Sequence, residues 1–315
     1  MTSLVTGAAG FVGSHLCELL LERGERVRGV DCFTDYYQRS LKDWNLSHPT
    51  GEPGFSFVRG DLTLMDLEPL LEDVDVIYHL AGQPGVRPSW GAEFSGYLRN
   101  NIEATQRLLE ACRSMPVRKI VYASSSSVYG DAEAYPTAET LRPQPVSPYG
   151  VTKLAAEHLC ELYRSNFGTP TVSLRLFTVY GPRQRPDMAF SRLVSASLRD
   201  TSFRLFGDGE QTRDFTFVGD VVRAFRDAAD SEWTGVANIG GGSRTSMKEV
   251  LRIASDLCGP LNVVRMPEQE GDVRHTAADI GVARAAFGYE PRTSLAQGLA
   301  EMVSAERHRA EVFTS

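Results

Sequence analysis

The chain has 315 residues, 42% of them hydrophobic and 23% charged, a composition typical of globular proteins and unlike that of disordered or collagenous chains. Its 33 basic and 40 acidic side chains leave a net charge of −7 without any basic run, which excludes the usual electrostatic signature of a nucleic-acid partner. No apolar stretch approaches the roughly 18 residues that indicate a membrane span, and no signal peptide precedes the first predicted strand.

The first half of the chain alternates short β-branched segments with amphipathic ones. Buried strands are predicted at residues 2–6, 26–31, 55–59, 75–79, 119–123 and 171–177. Helices are predicted at 13–22, 101–114 and 148–166, the last of them capped by Gly168. Because alternating strands and helices build a parallel sheet covered on both faces, we expect an α/β fold of the Rossmann type with a doubly wound sheet.

After Phe177 the alternation weakens, and Pro, Gly and Arg gather in GPRQRPDM (181–188) and FGDGEQTRDF (206–215). These segments predict a smaller α/β lobe. A further strand at 236–239 ends in three glycines and indicates that the chain returns to the first lobe. We therefore expect a first domain of residues 1–177 with a return segment at about 214–239, and a second lobe of residues 178–213 and 240–315.

The five cysteines are odd in number and lie at positions 17, 32, 112, 160 and 258, without a CxxC or Cys/His spacing. This pattern argues against a disulfide framework and against a structural zinc site. It predicts a protein of a reducing, cytoplasmic compartment that binds no metal.

A glycine-rich turn with the spacing GxxGxxG joins the first strand to the first helix. Small residues let the backbone approach a pyrophosphate there, and the helix N-terminus supplies free amides with a partial positive charge. The predicted contacts are Gly7, Gly10, Phe11, Val12 and Gly13. Asp31 ends the second strand, where a carboxylate binds an adenosine ribose and repels a 2′-phosphate. The pattern favours NAD over NADP, and the alternative is a tight turn with Asp31 as a strand cap.

Asp61 and Leu62 follow the third predicted strand and are candidates for contact with the adenine. A turn role for Asp61 is equally consistent with its position. His79 ends the fourth strand without metal-ligand neighbours in the sequence, which predicts local packing or hydrogen bonding.

Tyr149 and Lys153 stand four residues apart on a predicted helix, so their side chains share one face. An ammonium beside a phenol favours the phenolate and lowers its pKa, which is about 10 in water. A phenolate can accept a proton from a sugar hydroxyl while hydride leaves the same carbon. The same spacing also occurs by chance on solvated helices. The catalytic interpretation therefore depends on the glycine-rich and serine-rich motifs elsewhere in the sequence.

Four consecutive serines follow the fifth strand in ASSSSVYG (123–130), at the carboxyl edge of the sheet where ligands of such folds bind. Their hydroxyls are too polar for a core position. The alternative is a turn that satisfies its own backbone, which is the favoured role for Ser124.

The motifs GAAGFVG, HLAGQPGVR (79–87), ASSSSVYG, SPYGVTK (147–153), LFTVYGPRQRPDMAF (176–190) and FGDGEQTRDF together resemble those of extended short-chain dehydrogenases, specifically nucleotide-sugar epimerases. The likeness covers nearly the whole chain. Within that group, QPGVR and GPRQRPDMAF are most similar to UDP-glucuronate 4-epimerases.

The resemblance implies that Tyr149 is the base, that Lys153 binds the nicotinamide ribose and tunes Tyr149, and that Ser125 shares a short hydrogen bond with the sugar 4-hydroxyl. It further implies cofactor contacts at Leu80, Ala81 and Asn100. Hydride would pass from C4 to NAD, and the 4-keto sugar would turn over in the pocket. Hydride would then return to the opposite face, so NAD is regenerated and stays bound.

Two departures from the family patterns bear on the reaction. Related dehydratases and decarboxylases resemble ASTDEVYG and TSEVYG, with an acid where this chain has Ser126 and Ser127. Without that acid, the site has no side chain to move a proton at C5 or C6, so simple epimerisation is the reaction we expect. Thr178 replaces the usual Asn of FNVYGPR. We expect Thr178 and the hydroxyls of Ser125, Ser126 and Ser127 to hold a uronate carboxylate by neutral hydrogen bonds, so that the β-keto acid keeps its carbon dioxide.

A UDP diphosphate needs cationic partners, for which the planar fork of arginine is suited. The candidates in or near the second lobe's motifs are Arg87, Arg185, Arg192, Arg213 and Arg274. Arg213 matches the family pattern QxRDF, whereas the others are equally consistent with ordinary surface charges. Phe206 and Met188 are candidates to flank the uracil, with core packing as the alternative.

The sequence therefore predicts an NAD-dependent UDP-glucuronate/UDP-galacturonate 4-epimerase with an NAD-binding domain and a UDP-sugar-binding lobe. The alternative is a UDP-glucose/UDP-galactose 4-epimerase or broad-specificity relative. A UDP-glucuronate decarboxylase is disfavoured by the missing acid, and a non-catalytic NAD-binding regulator by the presence of both Tyr149 and Lys153. The resemblance also implies a homodimer joined through residues 101–114 and 148–166 as a four-helix bundle.

Overall fold

A computed structural model describes residues 1–267 and 273–314. Within these residues the strands are β1 (Thr2–Thr6), β2 (Arg26–Asp31), β3 (Phe55–Arg59), β4 (Val76–His79), β5 (Lys119–Ser125), β6 (Thr171–Leu176), β7 (Val179–Tyr180), β8 (Phe203–Phe206), β9 (Thr212–Asp214), β10 (Thr216–Phe217), β11 (Gly235–Ile239), β12 (Arg244–Ser246) and β13 (Val263–Met266). The helices are α1 (Phe11–Glu22), α2 (Arg39–Ser47), α3 (Glu68–Leu71), α4 (Phe94–Tyr97), α5 (Ala104–Ser114), α6 (Pro148–Phe167), α7 (Ala189–Leu198), α8 (Val218–Asp230), α9 (Met247–Cys258), α10 (Gly281–Phe287) and α11 (Leu295–Thr314).

Seven of these strands form one sheet in the order β11-β6-β5-β4-β1-β2-β3, and every neighbouring pair is parallel. The predicted Rossmann-type α/β fold is confirmed. The order reverses at β1, so the chain winds outward from the centre in both directions. The return strand β11 pairs with β6 at one edge, after α8 has crossed the sheet.

The two faces of the sheet are covered by different helices. On one face, α1 contributes Leu16 and Leu20 and α8 contributes Val221 and Phe225 to one buried cluster with the strands. On the other face, α5 and α6 pack into a second cluster, in which Leu108 is 1% exposed. The strands β1, β4 and β5 are buried along their whole length, which is why they appear in the sequence as short runs without alternation. The strand β3 at the edge of the sheet is only partly buried, which corrects the prediction of a buried strand at 55–59.

The predicted helix at 101–114 differs from the observed one. The α-helix α5 begins at Ala104 and is preceded by a π-helical stretch, Leu98–Glu103. Inside this stretch the Asn101 amide oxygen accepts a hydrogen bond from the Gln83 backbone N–H at 2.6 Å, and its Nδ2 donates to Thr152 Oγ1 at 2.9 Å. A widened helical turn of this kind marks a functional position more often than a random one.

A smaller lobe packs at the carboxyl edge of the sheet. Helices α7, α9 and α11 share one buried cluster with β8, and β8 pairs with β13 in parallel. Phe11, the first residue of α1, belongs to the same cluster, so the lobe rests directly on the start of the first helix.

The ends of α6 follow the sequence signals. Ser147 Oγ accepts a hydrogen bond from the Gly150 N–H at 3.1 Å, and Gly168 ends the helix in the left-handed conformation with φ 70°. This helix therefore starts at a defined residue beside the strand end of β5.

The structure also bears on the excluded classes of protein. None of the helices in the described part of the chain is long and apolar enough to cross a membrane. All five cysteines are free thiols. Within residues 1–267 and 273–314, no group of three His, Cys, Asp or Glu side chains could hold a metal ion.

Candidate active site

A cavity of about 450 Å³ runs along the carboxyl edge of the sheet, between the two lobes. The side chains predicted to bind a dinucleotide or to react with a sugar line it in large part. Its lining includes Gly7, Gly10, Phe11, Val12, Gly13, Asp31, Asp61, Leu62, Leu80, Ala81, Asn100, Ser125, Ser126, Ser127, Tyr149, Lys153, Thr178, Arg185 and Met188.

The glycine-rich turn brings backbone rather than side chains to the cavity. Gly10 precedes α1 in an extended conformation, and no side chain caps the first amides of this helix. A Cβ on Gly13 would collide with the carbonyl oxygen of Gly7, and one on Gly7 would lie 2.9 Å from the Ala81 nitrogen. The close packing and the uncapped helix N-terminus together fit a pyrophosphate.

Asp31 lies 7% exposed at the end of β2, beside this turn. Its carboxylate accepts hydrogen bonds from the Phe33 N–H at 2.8 Å and the Ala9 N–H at 3.2 Å, and it forms an ion pair with Lys42 at 3.1 Å. Sequence reasoning missed Lys42, because its position on α2 carries no motif that links it to β2. The cavity therefore contains helix amides that can donate to a pyrophosphate and a carboxylate, Asp31, that can accept from a ribose. This is the arrangement that NAD requires.

Asp61 stabilises a turn, as its position in the sequence suggested, and it also lines the cavity. Its Oδ1 accepts from the Thr63 N–H and hydroxyl at 2.9 and 2.7 Å, and its Oδ2 pairs with Arg99 at 2.6 Å. Asn100 faces the cavity, while its neighbour Asn101 is 1% exposed and holds the Gln83 backbone. Sequence reasoning singled out Asn100 and missed this second asparagine.

Tyr149 and Ser125 meet at the strand end of β5. The Ser125 hydroxyl is hydrogen-bonded to Tyr149 and accepts from the Ser127 N–H at 3.1 Å. Burial raises the pKa of the Tyr149 phenol, while the bond from Ser125 and the positive charge of Arg185 lower it. The predicted lowering of the phenol pKa by Lys153 is therefore corrected: burial outweighs the other influences and the pKa is raised, and the groups that oppose the rise are Ser125 and Arg185.

Lys153 is buried behind Tyr149, and its Nζ lies 4.5 Å from the centre of the Tyr122 ring. Burial lowers the pKa of this ammonium to about 8. At this pKa the ammonium is still mostly protonated near pH 7, and the nearby groups that oppose the effect of burial help to keep its charge.

His79 lies directly beneath the cavity and is a structural residue. Its Nδ1 bonds to Thr6 Oγ1 at 2.8 Å and its Nε2 to Thr105 Oγ1 at 2.9 Å. Burial, with a smaller effect of the Lys153 charge, lowers the pKa of His79 to about 3, so it is neutral near pH 7. The prediction of local hydrogen bonding is confirmed.

The remaining candidates for contact with UDP form two groups away from the described lining of this cavity. In one group, the guanidinium carbons of Arg87 and Arg192 lie 4.9 and 5.8 Å from the centre of the Phe206 ring. In the other, Arg213 Nη1 donates to the Arg274 carbonyl at 3.1 Å, and the Arg274 side chain pairs with Asp208 at 3.5 Å. Arg185 lies in the cavity and is held by Asp187 at 3.0 Å.

These features define the class of protein: a dinucleotide-dependent enzyme in which a tyrosine, a lysine and a serine line the same cavity as the glycine-rich turn. The chain belongs to the NAD dependent epimerase/dehydratase family, whose sequence pattern matches residues 3–240. NAD is its cofactor.

Similar proteins span the whole chain. A protein of Bacillus subtilis described as an uncharacterised UDP-glucose epimerase is 46% identical over 96% of this chain and 97% of its own length. The UDP-glucuronate 4-epimerase of Thermodesulfobacterium geofontis is 35% identical over 99% of this chain and 98% of its own. The crystal structure of the UDP-glucuronic acid 4-epimerase of Bacillus cereus, in complex with UDP-glucuronic acid and NAD, superposes with a TM-score of 0.95 at 44% identity, covering 98% of this chain and all of that one.

Proposed function

We propose that this chain is an NAD-dependent 4-epimerase that interconverts UDP-glucuronate and UDP-galacturonate. The observation that carries the proposal is the convergence of Tyr149, Ser125 and Lys153 at one end of the cavity that holds the dinucleotide cradle. The similarity to UDP-glucuronate 4-epimerases over the whole chain supports the choice of sugar.

The side chains of the site divide the proton chemistry among them. Bound NAD supplies the acceptor and the donor of hydride. Tyr149 removes the proton of the sugar 4-hydroxyl as the C4–H bond breaks, and Ser125 shares a hydrogen bond with the same hydroxyl and with the phenol. After the planar 4-keto sugar has turned over, Tyr149 returns the proton to the oxygen on the opposite stereochemical side. Lys153 binds the nicotinamide ribose and keeps a positive charge near the phenol.

The acids of the cavity lie far from this chemistry. Among its described lining residues, Asp31 and Asp61 are acidic, and both follow strands on the adenosine side of the sheet. At the sugar end stand the neutral hydroxyls of Ser126, Ser127 and Thr178. We assign to them the uronate carboxylate, which they bind without supplying an acid for proton transfer at C5 or C6.

The UDP moiety is assigned to the lobe of residues 178–213 and 240–315, and NAD to residues 1–177 with the return segment of about 214–239. Arg87, Arg192 and Phe206 already form one contact group, in which an aromatic ring flanked by guanidinium groups suits a uracil and its diphosphate. Arg185 and Met188 extend this assignment into the cavity, and Arg213 and Arg274 lie beside one another outside its described lining.

The test is incubation of the purified protein with UDP-glucuronate without added reductant, followed by separation of hexuronate and pentose products. We expect UDP-galacturonate without UDP-pentose. Tyr149→Phe is expected to lower kcat by about 10²- to 10⁴-fold, as loss of a general base does. Should the Phe variant invert C4 as fast as the parent, the proposed mechanism is wrong.

A second candidate is epimerisation of UDP-glucose, which the description of the Bacillus subtilis relative favours. Turnover of UDP-glucuronate and UDP-glucose by the same preparation separates the two. Failure to turn over either, with NAD bound, would instead indicate a non-catalytic regulator.

A cytoplasmic homodimer is the final part of the proposal. The free thiols of all five cysteines are consistent with a reducing compartment. The outer face of α6 carries exposed apolar side chains, among them Val151 at 47% and Leu162 at 52% exposure, which suits burial against a second copy.

A further inference from the structure

A buried ion pair lies directly behind the catalytic face of α6. Glu157 is 3% exposed and Arg175, on β6, is 5% exposed. Arg175 Nη2 donates to Glu157 Oε1 at 2.6 Å, and Arg175 Nε lies 3.2 and 3.1 Å from the two carboxylate oxygens. Such buried charges are tolerated only with a partner of opposite sign and good geometry, which each residue provides for the other.

The pair is bonded to the strand end that carries Ser125. The Ser124 hydroxyl donates to Glu157 Oε2 at 2.6 Å. On the other side, Arg175 Nη1 donates to the Tyr129 hydroxyl at 2.7 Å, which in turn donates to Asn238 Oδ1 at 2.8 Å. Ser124 thus lies within β5 and bonds to α6, which corrects the turn role favoured for it from the sequence. The ion pair connects α6 to the end of β5 and, through Tyr129, to the turn that follows β5.

Lys153 precedes Glu157 by one helical turn, and the two share a face of α6. Burial lowers the pKa of Lys153, and Cys160 and Glu157 oppose this effect. Burial raises the pKa of the Cys160 thiol to about 12, so near neutral pH this thiol carries no charge. The negative charge that acts on Lys153 is then that of Glu157.

Titratable groups from three elements neighbour this lysine. They are His79 on β4, Tyr122 on β5, and Tyr149, Glu157 and Cys160 on α6. His79 is neutral, and burial raises the pKa of the Tyr122 and Tyr149 phenols. The charge that favours the protonated lysine is therefore that of Glu157, and Arg175 on β6 opposes it as the ion-pair partner of Glu157.

We propose that Glu157 and Arg175 are positioning residues for the epimerase reaction: they orient the Ser124–Ser125 strand end and keep Lys153 protonated in its buried site. Neither is itself among the described lining residues of the cavity; they act through Ser124 and Lys153, which are. The inference rests on the proposed function, because it requires a reaction in which the Lys153 charge matters.

The test compares two variants that unbalance the pair in opposite directions. Glu157→Gln leaves the Arg175 charge unopposed, so Lys153 loses its proton more readily. Arg175→Met leaves the Glu157 charge unopposed, so Lys153 holds its proton more tightly. In the pH profile of kcat/KM with UDP-glucuronate, the alkaline limb is expected to move down by about one pH unit in the first variant and up by about one in the second.

The double variant Glu157→Gln/Arg175→Met removes both charges, and replacement of a buried pair by uncharged side chains is often well tolerated. Its alkaline limb is expected to return to within about 0.3 pH units of the parent's, because the two opposing fields vanish together. A shared structural role would lower the stability of both single variants and leave the limb in place. An unmoved limb, or one moved in the same direction by both, overturns the inference.

Ser124→Ala tests the orienting role without altering a charge, and it removes only one side-chain hydrogen bond. We expect kcat to fall about tenfold with the alkaline limb unmoved, as for a misaligned catalytic group. An unchanged kcat would overturn the orienting part.

The parent enzyme distinguishes failure of the proposed function from failure of this inference. If the parent does not convert UDP-glucuronate, the proposed function is wrong. If the parent converts it normally and the alkaline limbs of the variants do not move, only this inference is wrong.

Discussion

In the proposed reaction, single side chains at the sugar end of the cavity decide the fate of the oxidised uronate. Oxidation at C4 makes a β-keto acid, which loses carbon dioxide when its carboxylate stands perpendicular to the new carbonyl. Thr178, Ser126 and Ser127 line this part of the cavity with neutral hydroxyls. Neutral hydroxyl donors can hold the carboxylate away from the perpendicular orientation without encouraging the loss of carbon dioxide.

Thr178→Ala is therefore expected to release a fraction of UDP-pentose from UDP-glucuronate, because one of the bonds that orient the carboxylate is lost. Loss of one hydrogen bond to a charged group costs about 1.5 to 3 kcal/mol, so we expect substrate affinity to fall by roughly 10- to 100-fold. The measurement is chromatographic separation of the products together with KM. Thr178→Ser keeps the hydroxyl and serves as the matched control. Absence of pentose, with unchanged affinity, contradicts the assignment.

Among the larger elements, the loop 181–188 is attached to α1 by the Arg183 side chain and by a hydrogen bond between His15 Nε2 and the Pro182 carbonyl at 2.9 Å. Arg183 Nη1 and Nη2 donate to the two Glu18 oxygens at 3.0 and 2.5 Å, and the same guanidinium contacts His15. The Arg183 backbone is left-handed, with φ 62°. A non-glycine residue in this conformation costs about 1 to 2 kcal/mol, so the side-chain contacts offset a local strain.

This attachment leads to a prediction about two substitutions that remove the same guanidinium. Arg183→Gly also relieves the backbone strain, whereas Arg183→Ala keeps it, so the Ala variant should be less stable by about 1 kcal/mol. Both should raise KM for UDP-glucuronate several-fold, because the loop carries Arg185 and Met188 into the cavity. Urea unfolding and steady-state kinetics measure the two effects. Equal stability of the two variants would show that the left-handed conformation is not strained.

For the molecule as a whole, two buried histidines make stability depend on pH. Burial is the main cause that lowers the pKa of both His15 and His79 to about 3. The ordinary value for an unfolded chain is about 6.5, so the unfolded state takes up protons first as the pH falls. The stability associated with neutral histidine is complete above about pH 6.5 and is lost progressively between there and about pH 3.

We expect each histidine to reduce the free energy of unfolding by about 2 kcal/mol between pH 7 and pH 5. His79→Gln should therefore flatten the decline in that interval, whatever its effect at pH 7. Thr105→Val, which removes a hydrogen-bond partner of His79 and no titrating group, should lower stability without flattening the decline. Denaturant unfolding at a series of pH values checks both, and an equal slope in the parent and His79→Gln contradicts the assignment.

The proposed dimer surface also belongs to the whole molecule. Val151, Ala155, His158 and Leu162 recur at helical spacing along the outer face of α6, opposite the face of Tyr149 and Lys153. Leu162→Glu would place a charge in this surface and is expected to convert the dimer to a monomer in sedimentation analysis. Leu257→Glu, on an exposed position of α9 in the other lobe, is the control and should remain dimeric. Dimers of both variants would place the interface elsewhere.

The sequence pattern is sufficient to predict the parallel sheet, the glycine-rich turn and the Tyr149–Lys153 pair. Strand burial, helix period and turn chemistry are local properties, and each of these features lies within one segment or at the junction of two. The spacing of four on α6, for example, places two side chains on one face whatever surrounds the helix. The resemblance of the motifs to those of nucleotide-sugar epimerases extends the prediction from the fold to the reaction.

Contacts between distant segments could not be read in this way. The Lys42–Asp31 ion pair joins α2 to β2, Glu157–Arg175 joins α6 to β6, and Arg183–Glu18 joins the second lobe to α1. Each pair forms because packing brings two distant segments together and buries at least one of the two charges, and no sequence spacing records that event. The pKa of Tyr149 has the same origin, since its burial and the approach of Arg185 depend on how the two lobes close around the cavity.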